Sequence, residues 1–217
     1  DHGYALYGAL CRLLPVLHAE HRESRDGGSP SAAWGVHPVR GLRSGPGLLA
    51  IDRSSLLKVR LPASRIAELL PLAGKTLELD GHRVAIGVPR IFALESRAAL
   101  RARFVTIKHH EGEPAEFALA TRQQLARIPG LGIDPERIAI EVGGRRVMRV
   151  SDKKVVGFQV AIDGLDATAS LAVQVQGLGG RRHMGAGVFV PWGRKALTQA
   201  SPRANSWRRA RAVDVGP

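Results

Sequence analysis

From Tyr4 to Leu17, apolar residues recur at helical spacing: Leu6, Ala9, Leu10, Leu13, Leu14 and Leu17 share one stripe. Asp1 or His2 stands where a cap belongs. "HAEHRESRDGGSPSAAWG" then loses the period to Gly, Ser, Pro and charge, and reads as a loop. "GVHPVRG" leads into two short strand patterns, "GLLAIDRS" and "SLLKVRLP". Helical spacing returns in "ASRIAELLPLAG", with Ile66, Leu69 and Leu70 on one face and Gly74 as stop. "TLELDGHRVAIGVPRIFAL" reads as strand, tight turn at Asp80-Gly81, strand.

The pattern then repeats with one strand more. "LRARFVTIK" predicts a strand and "PAEFALATRQQLARIPG" a helix opening near Pro114. "ERIAIEVGG" and "KKVVGFQVAIDGL" flank "RRVMRVSD" as a hairpin region. A helix capped at Asp166 follows in "DATASLAVQVQGLG", and "GAGVFVPW" is the last strand. The second half is therefore β-α-β-β-α-β, the ferredoxin-like order. The first half is the same order without its opening strand. The fold class expected is α+β: two tandem ferredoxin-like (RRM-like) domains over 1–96 and 97–192, with the boundary near Glu95 to Ala99. Beyond them, 193–217 carries six Lys or Arg against one Asp and shows no sustained period, which predicts a basic, disordered tail.

Charge narrows the partner. Thirty-two Lys plus Arg stand against 19 Asp plus Glu among 217 residues, a formal net charge of +13. A polyanion is expected, and nucleic acid before others. Aromatic residues make up 5%. A platform stacking several single-stranded bases is therefore disfavoured, and recognition of a structured RNA backbone is favoured. No stretch reaches the ~18 apolar residues of a membrane span, no signal peptide is visible, and cytoplasm is the expected compartment. Cys11 is the sole cysteine, which excludes an intramolecular disulfide and a thiolate zinc site.

"GLGGRRHMGAGVFVP", Gly177 to Pro191, is the densest glycine segment. It is no P-loop: Gly180 and Gly185 have the spacing, but Ala186 and Gly187 replace the Lys and Ser/Thr. It is no dinucleotide fingerprint, since the sixth position from Gly177 is Arg182. It also follows a helix and precedes a strand, the reverse of both motifs. What remains is backbone able to approach a phosphate closely at Gly177, Gly179, Gly180, Gly185 and Gly187, with Arg181, Arg182 and His183 beside it. A second basic group, Arg145, Arg146, Arg149, Lys153 and Lys154, lies in the hairpin. Arg145 and Arg149 share one strand face and Arg146 takes the other. Such a hairpin suits the phosphate backbone of an RNA helix.

Eight histidines are candidates for proton transfer or metal. His18 with His21, and His109 with His110, have spacing for a metal but no accompanying carboxylate pattern, so no metal and no other cofactor is expected. His2, His18 and His37 cluster around the first helix and the loop after it, where a rigid element supports an acid–base group.

With these residues in place, the chain resembles the CRISPR repeat-processing endoribonucleases of the RAMP superfamily, in the branch first described in myxobacterial systems. The resemblance covers about residues 1 to 192. It rests most on "DHGYALYGALCRLLPVLH" with "WGVHPVRG", on "KKVVGF" and on "GLGGRRHMGAGVFVP". It implies metal-independent cleavage of a CRISPR precursor transcript within the repeat, below a stem-loop. The RNA's own 2′-hydroxyl attacks, leaving a 2′,3′-cyclic phosphate and a 5′-hydroxyl. It implies a histidine on or after the first helix as base: His18 by position, then His2, then His37. Arg22 and Arg40 become candidate phosphate stabilisers. Some members carry a tyrosine where this chain has Cys11, with Tyr4 and Tyr7 nearby. The partner implied is CRISPR repeat RNA, with other effector subunits as further partners, and monomer or homodimer left open. The alternative is a RAMP subunit that binds the guide RNA without cutting.

Overall fold

The computed structural model describes residues 2–18 and 34–193. The first element, α1 (Gly3–Leu13), buries Gly3, Leu6, Tyr7, Ala9 and Leu10, the stripe its sequence period requires. His2 occupies the N-cap position without a capping side-chain bond. After a break at Leu14 a further helical turn runs over 15–18, opened by Pro15. Leu14 and Leu17 stay buried.

The strands of the first half are short: β1 (Gly35–Val36), β2 (Leu42–Gly45), β3 (Leu48–Ala50), β4 (Val59–Arg60), β5 (Thr76–Leu79) and β6 (His82–Ala85). Sequence expected strands in "GLLAIDRS" and "SLLKVRLP" and a hairpin at Asp80-Gly81; β1 and β2 are two strands more. Among the described residues they pair as three separate antiparallel ribbons, β1 with β4, β2 with β3, and β5 with β6. The β5–β6 turn is Asp80-Gly81, with φ of 46° and 81°, the left-handed pair that a two-residue hairpin loop demands. The helix expected over "ASRIAELLPLAG" is a 3-10 helix, Ala63–Leu72. Pro71 lies inside it, lacks an N–H and would clash with the carbonyl one α-turn back, so the tighter i→i+3 geometry replaces the α-helix there.

The second half is a complete ferredoxin-like unit: β7 (Leu100–Val105), α2 (Pro114–Ala126), β8 (Ala139–Val150), β9 (Lys153–Asp163), α3 (Ala167–Gln176) and β10 (Val190–Pro191). Its sheet runs β10-β7-β9-β8, antiparallel at every pairing. Pro114 opens α2, and the Asp166 carboxylate caps α3 by accepting the Ala169 N–H at 2.7 Å. The last strand is shorter than "GAGVFVPW" predicts, because 177–189 packs as a loop across the end of β7.

Two cores result. One lies between the sheet and its helices, with Leu100, Phe117, Leu125, Phe158, Val160 and Phe189; the Phe117 and Phe158 rings sit 4.8 Å apart. The other joins Leu6, Leu10, Trp34, Val36 and Leu77 of the first half to Phe104, Met148, Met184 and Ala186 of the second. Gly157 of "KKVVGF" is forced by close approach, since a Cβ there would run into the Val105 carbonyl oxygen.

Candidate functional site

The β1–β4 ribbon sets the site. Gly35 pairs with Arg60, and the His37 N–H donates to the Lys58 carbonyl at 2.9 Å. Arg60 Nη1 donates to two carbonyls of the second half, Gln174 and Phe189, each at 2.8 Å. Those carbonyls flank the glycine-rich loop on either side. Pro38 completes the junction: a Cβ on Gly185 would stand 2.9 Å from its ring, and Gly185 has φ +89°.

The loop's glycines have a role in the fold that the sequence did not reveal. Gly177, Gly179 and Gly187 hold φ of 66°, 73° and 67°, and a Cβ at each would collide with protein carbonyls: Gly187 O, Thr106 O and Leu178 O respectively. Gly180 N–H donates to Thr106 O at 3.1 Å and Gly187 N–H to Phe104 O at 2.7 Å, so the loop is laced to the end of β7. Gly179 N–H donates to Gln124 Oε1 at 2.6 Å. Of the loop's five glycines only Gly180 leaves open space where a side chain would begin. Close approach is therefore to the chain's own backbone at Gly177, Gly179 and Gly187, and to Pro38 at Gly185.

Arg182 and His183 of the loop meet the first half. Arg181, at φ 64°, precedes a 3-10 turn, Arg182–Met184. Burial, then the charge of Arg60, pulls the Arg182 pKa down to about 10; burial alone does the same for Arg60. The His183 ring lies 4.5 Å from that of Tyr7 on α1, tilted by 53°. Burial, with a hydrogen bond to Cys11, pushes the Tyr7 hydroxyl far up, so it stays protonated.

Two of the three candidate histidines reach this junction. Burial first, then the charges of Arg60, Lys58, Arg40 and Arg182, hold the His37 pKa down to about 3, so its imidazole is neutral at pH 7. His2 Nε2 accepts the Val39 N–H at 2.9 Å, two residues beyond His37. Burial, then Arg103, lowers its pKa as well. That nitrogen's lone pair is engaged, so His2 holds the His37–Val39 segment in place. His18, first by sequence position, is exposed at the end of the 15–18 turn. It makes no hydrogen bond or ring contact with the cluster among the described residues. Arg40 is present, and Arg22 lies outside the described residues.

The basic hairpin stands apart from this cluster. Arg145, Arg146, Arg149, Lys153 and Lys154 are all exposed along β8 and β9, and none is among the charges acting on His37. A bulge lies between Val142 and Arg145, and Arg149 pairs across with Lys154. The alternation holds: Met148, between Val147 and Arg149, is buried in the shared core, so Arg146 shares its side and Arg145 and Arg149 take the other.

Sequence reading missed Lys58, Arg60 and Arg103. The signal for the first two was present in "SLLKVRLP", where Lys58 and Arg60 alternate with Val59 on a strand, but strand alternation does not say what the basic face meets. Among the described residues no three His, Cys, Asp or Glu side chains are placed to hold a metal, and no helix is long and apolar enough to cross a membrane.

Comparison with known proteins bears on what such a site serves. The family described as Cas6 Crispr matches residues 1–194. The CRISPR-associated endonuclease Cas6 of Myxococcus xanthus (strain DK1622) is 42% identical over 204 residues, 94% of this chain and 80% of that protein. Among solved structures, one described as CRISPR associated protein Cas6 superposes with a TM-score of 0.52 at 13% identity, covering 89% of this chain and 92% of its own. The product of a Cas6-related gene from Pyrococcus furiosus gives a TM-score of 0.52 at 12% identity, covering 87% and 89%. At those identities the two structures speak for the fold, a mixed helix-and-strand chain.

Proposed function

The chain belongs to the Cas6 family of CRISPR proteins, and on that premise we propose that it is the endoribonuclease that cuts CRISPR precursor transcripts within the repeat. The observation that carries the chemistry is His37, neutral and ringed by Arg40, Lys58, Arg60 and Arg182 where the two halves meet. Cleavage without a metal needs a base for the 2′-hydroxyl proton and cations for the charge that builds on phosphorus. His37 supplies the base. Arg40, Lys58 and Arg182 supply the charge. The 2′-oxygen attacks the adjacent phosphorus as its proton passes to His37, the phosphorus–5′-oxygen bond breaks, and the 5′-oxygen takes a proton from water, giving 2′,3′-cyclic phosphate and 5′-hydroxyl ends.

A pKa of about 3 makes His37 a weak base in the free protein. Burial is the larger cause of that shift; a phosphate among the cations offsets only their share of it, and to that extent the base gains strength when substrate arrives. His2 positions the segment, and the exposed hairpin from Arg145 to Lys154 holds the RNA backbone at a distance from the cut.

The test is cleavage of repeat RNA in EDTA. Wild type cuts. His37→Ala loses at least ~100-fold in rate, in the range of a general base, and His18→Ala retains it. A 2′-deoxy residue before the scissile phosphate blocks cutting and leaves binding intact. A protein that binds the repeat and leaves every substrate whole is the non-cutting subunit instead, and cleavage of the 2′-deoxy RNA rules out this mechanism.

A further inference from the structure

We infer that Arg60 is a positioning residue for RNA cleavage: its guanidinium ties both stems of the glycine-rich loop to the ribbon that carries His37. The inference rests on the endoribonuclease reading and adds a residue to it.

One nitrogen does the tying. Arg60 Nη1 bonds Gln174 O, three residues before Gly177, and Phe189 O, two residues after Gly187. The two stems are thereby held to a single group. Arg60 is itself fixed on β4, paired to Gly35, two residues from His37, and the His37 N–H bonds the carbonyl of Lys58, the residue just before that strand. No carboxylate among the described residues pairs with Arg60. Its charge is met by the two carbonyls, one of them in the last turn of α3, where the helix dipole favours a cation. A guanidinium suits the task, because its planar fork presents hydrogens in fixed directions and lysine's ammonium does not.

Consequences reach the reacting groups in two ways. Arg182 and His183 ride on the loop whose stems Arg60 holds. After burial, which does most to keep the proton off His37, Arg60 is the foremost of the four charges that add to it, ahead of Lys58, Arg40 and Arg182. Without Arg60 the loop shifts against His37 and the imidazole holds its proton at higher pH. Cleavage requires the neutral base, so the acid limb of the rate profile moves to higher pH.

The experiment compares wild type, Arg60→Lys and Arg60→Met under single turnover, with RNA affinity measured beside rate. Arg60→Met should cut roughly 30-fold or more slower, the scale of a misplaced reacting group, while its Kd stays within about threefold. Its acid limb should move up. Arg60→Lys keeps the charge, so it should restore the acid limb and only part of the rate. Trypsin acting on the RNA-free native proteins gives a readout independent of catalysis: the bonds after Arg181 and Arg182 should be cut faster in Arg60→Met than in wild type. A wild-type rate and pH profile in Arg60→Met overturns the proposal, as do equal trypsin rates in the two proteins. If Arg60→Met does not fold, the same criteria apply to rate and trypsin cleavage in Arg60→Lys. If wild type itself leaves repeat RNA uncut, the endoribonuclease reading falls, and the trypsin comparison alone decides whether Arg60 holds the loop.

Discussion

A histidine whose pKa falls to about 3 on folding makes the protein sensitive to acid in a defined window. The unfolded His37 takes a proton near pH 6.5, whereas the folded one does so only near 3. Stability is therefore unaffected above pH ~6.5 and is lost as pH falls from there to about 3. At pH 5 this residue should have cost about 2 kcal/mol relative to pH 7. His2, lowered in the same direction, adds to the loss. Urea unfolding of wild type and His37→Gln at both pH values checks it: the variant should lose less stability on acidification, and an equal loss would refute the assignment. Glycines give a second contrast at this scale. Gly187→Ala meets both a left-handed φ of 67° and the Leu178 carbonyl, and should lose about 3 kcal/mol or more. Gly180→Ala meets open space and should leave the melting temperature within about 2 °C. Sequence could nominate His37 and the five glycines, because residue types and spacing are visible in it. It could not show that His37 is buried beside four cations while His18 is exposed, nor tell Gly180 from Gly187, because both distinctions depend on what another part of the chain places beside them.

The elements were legible where local chemistry decides them. Asp80-Gly81 could form only a tight turn, and Pro114 and Asp166 mark helix starts by mechanism. They were less legible where a local signal competes with another. Ile66, Leu69 and Leu70 carry a helical period, but Pro71 turned the segment into a 3-10 helix. The apolar run "VFVP" reads as a strand, yet its first half, Val188 and Phe189, is loop, following on from Gly187, whose N–H and carbonyl are bonded to Phe104 and Leu178. The β8–β9 hairpin is the element with the most direct test. Arg145, Arg146, Arg149, Lys153 and Lys154 are exposed and make no ion pair among the described residues, so their charge is available to a phosphate backbone. Arg145→Ala with Arg146→Ala should weaken repeat binding and reduce the slope of log K against log salt by about 2, one unit for each phosphate no longer neutralised. An unchanged slope would mean that the hairpin does not touch the RNA. Cleavage of bound RNA should be unaffected, since neither residue acts on His37.

At the scale of the whole molecule the two halves are not independent bodies. Phe104 and Met148 of the sheet, with Met184 and Ala186 of the glycine-rich loop, are buried together with Leu6, Leu10, Trp34 and Leu77. The first half has only ribbons of two to four residues per strand and, among the described residues, no sheet of its own larger than a pair. Two-stranded ribbons are marginal alone in water, so the first half depends on the face the second half offers. Sequence expects a boundary near Glu95 to Ala99, and the shared core predicts that cooperativity does not end there. Unfolding should therefore be a single transition. Trp34 reports the shared core and Trp192, whose ring lies 5.4 Å from the Arg101 guanidinium, reports the far edge of the sheet. Urea curves from single-tryptophan variants at these two positions should coincide with each other and with far-UV circular dichroism. Phe104→Ala should shift all of them together, by about 3 to 5 kcal/mol as for a buried phenylalanine. Separate midpoints would show two domains that fold apart. The junction holding His37, Arg60 and Arg182 would then be a movable contact between them. A single midpoint makes that junction part of the folded core, so its geometry is set before any RNA arrives.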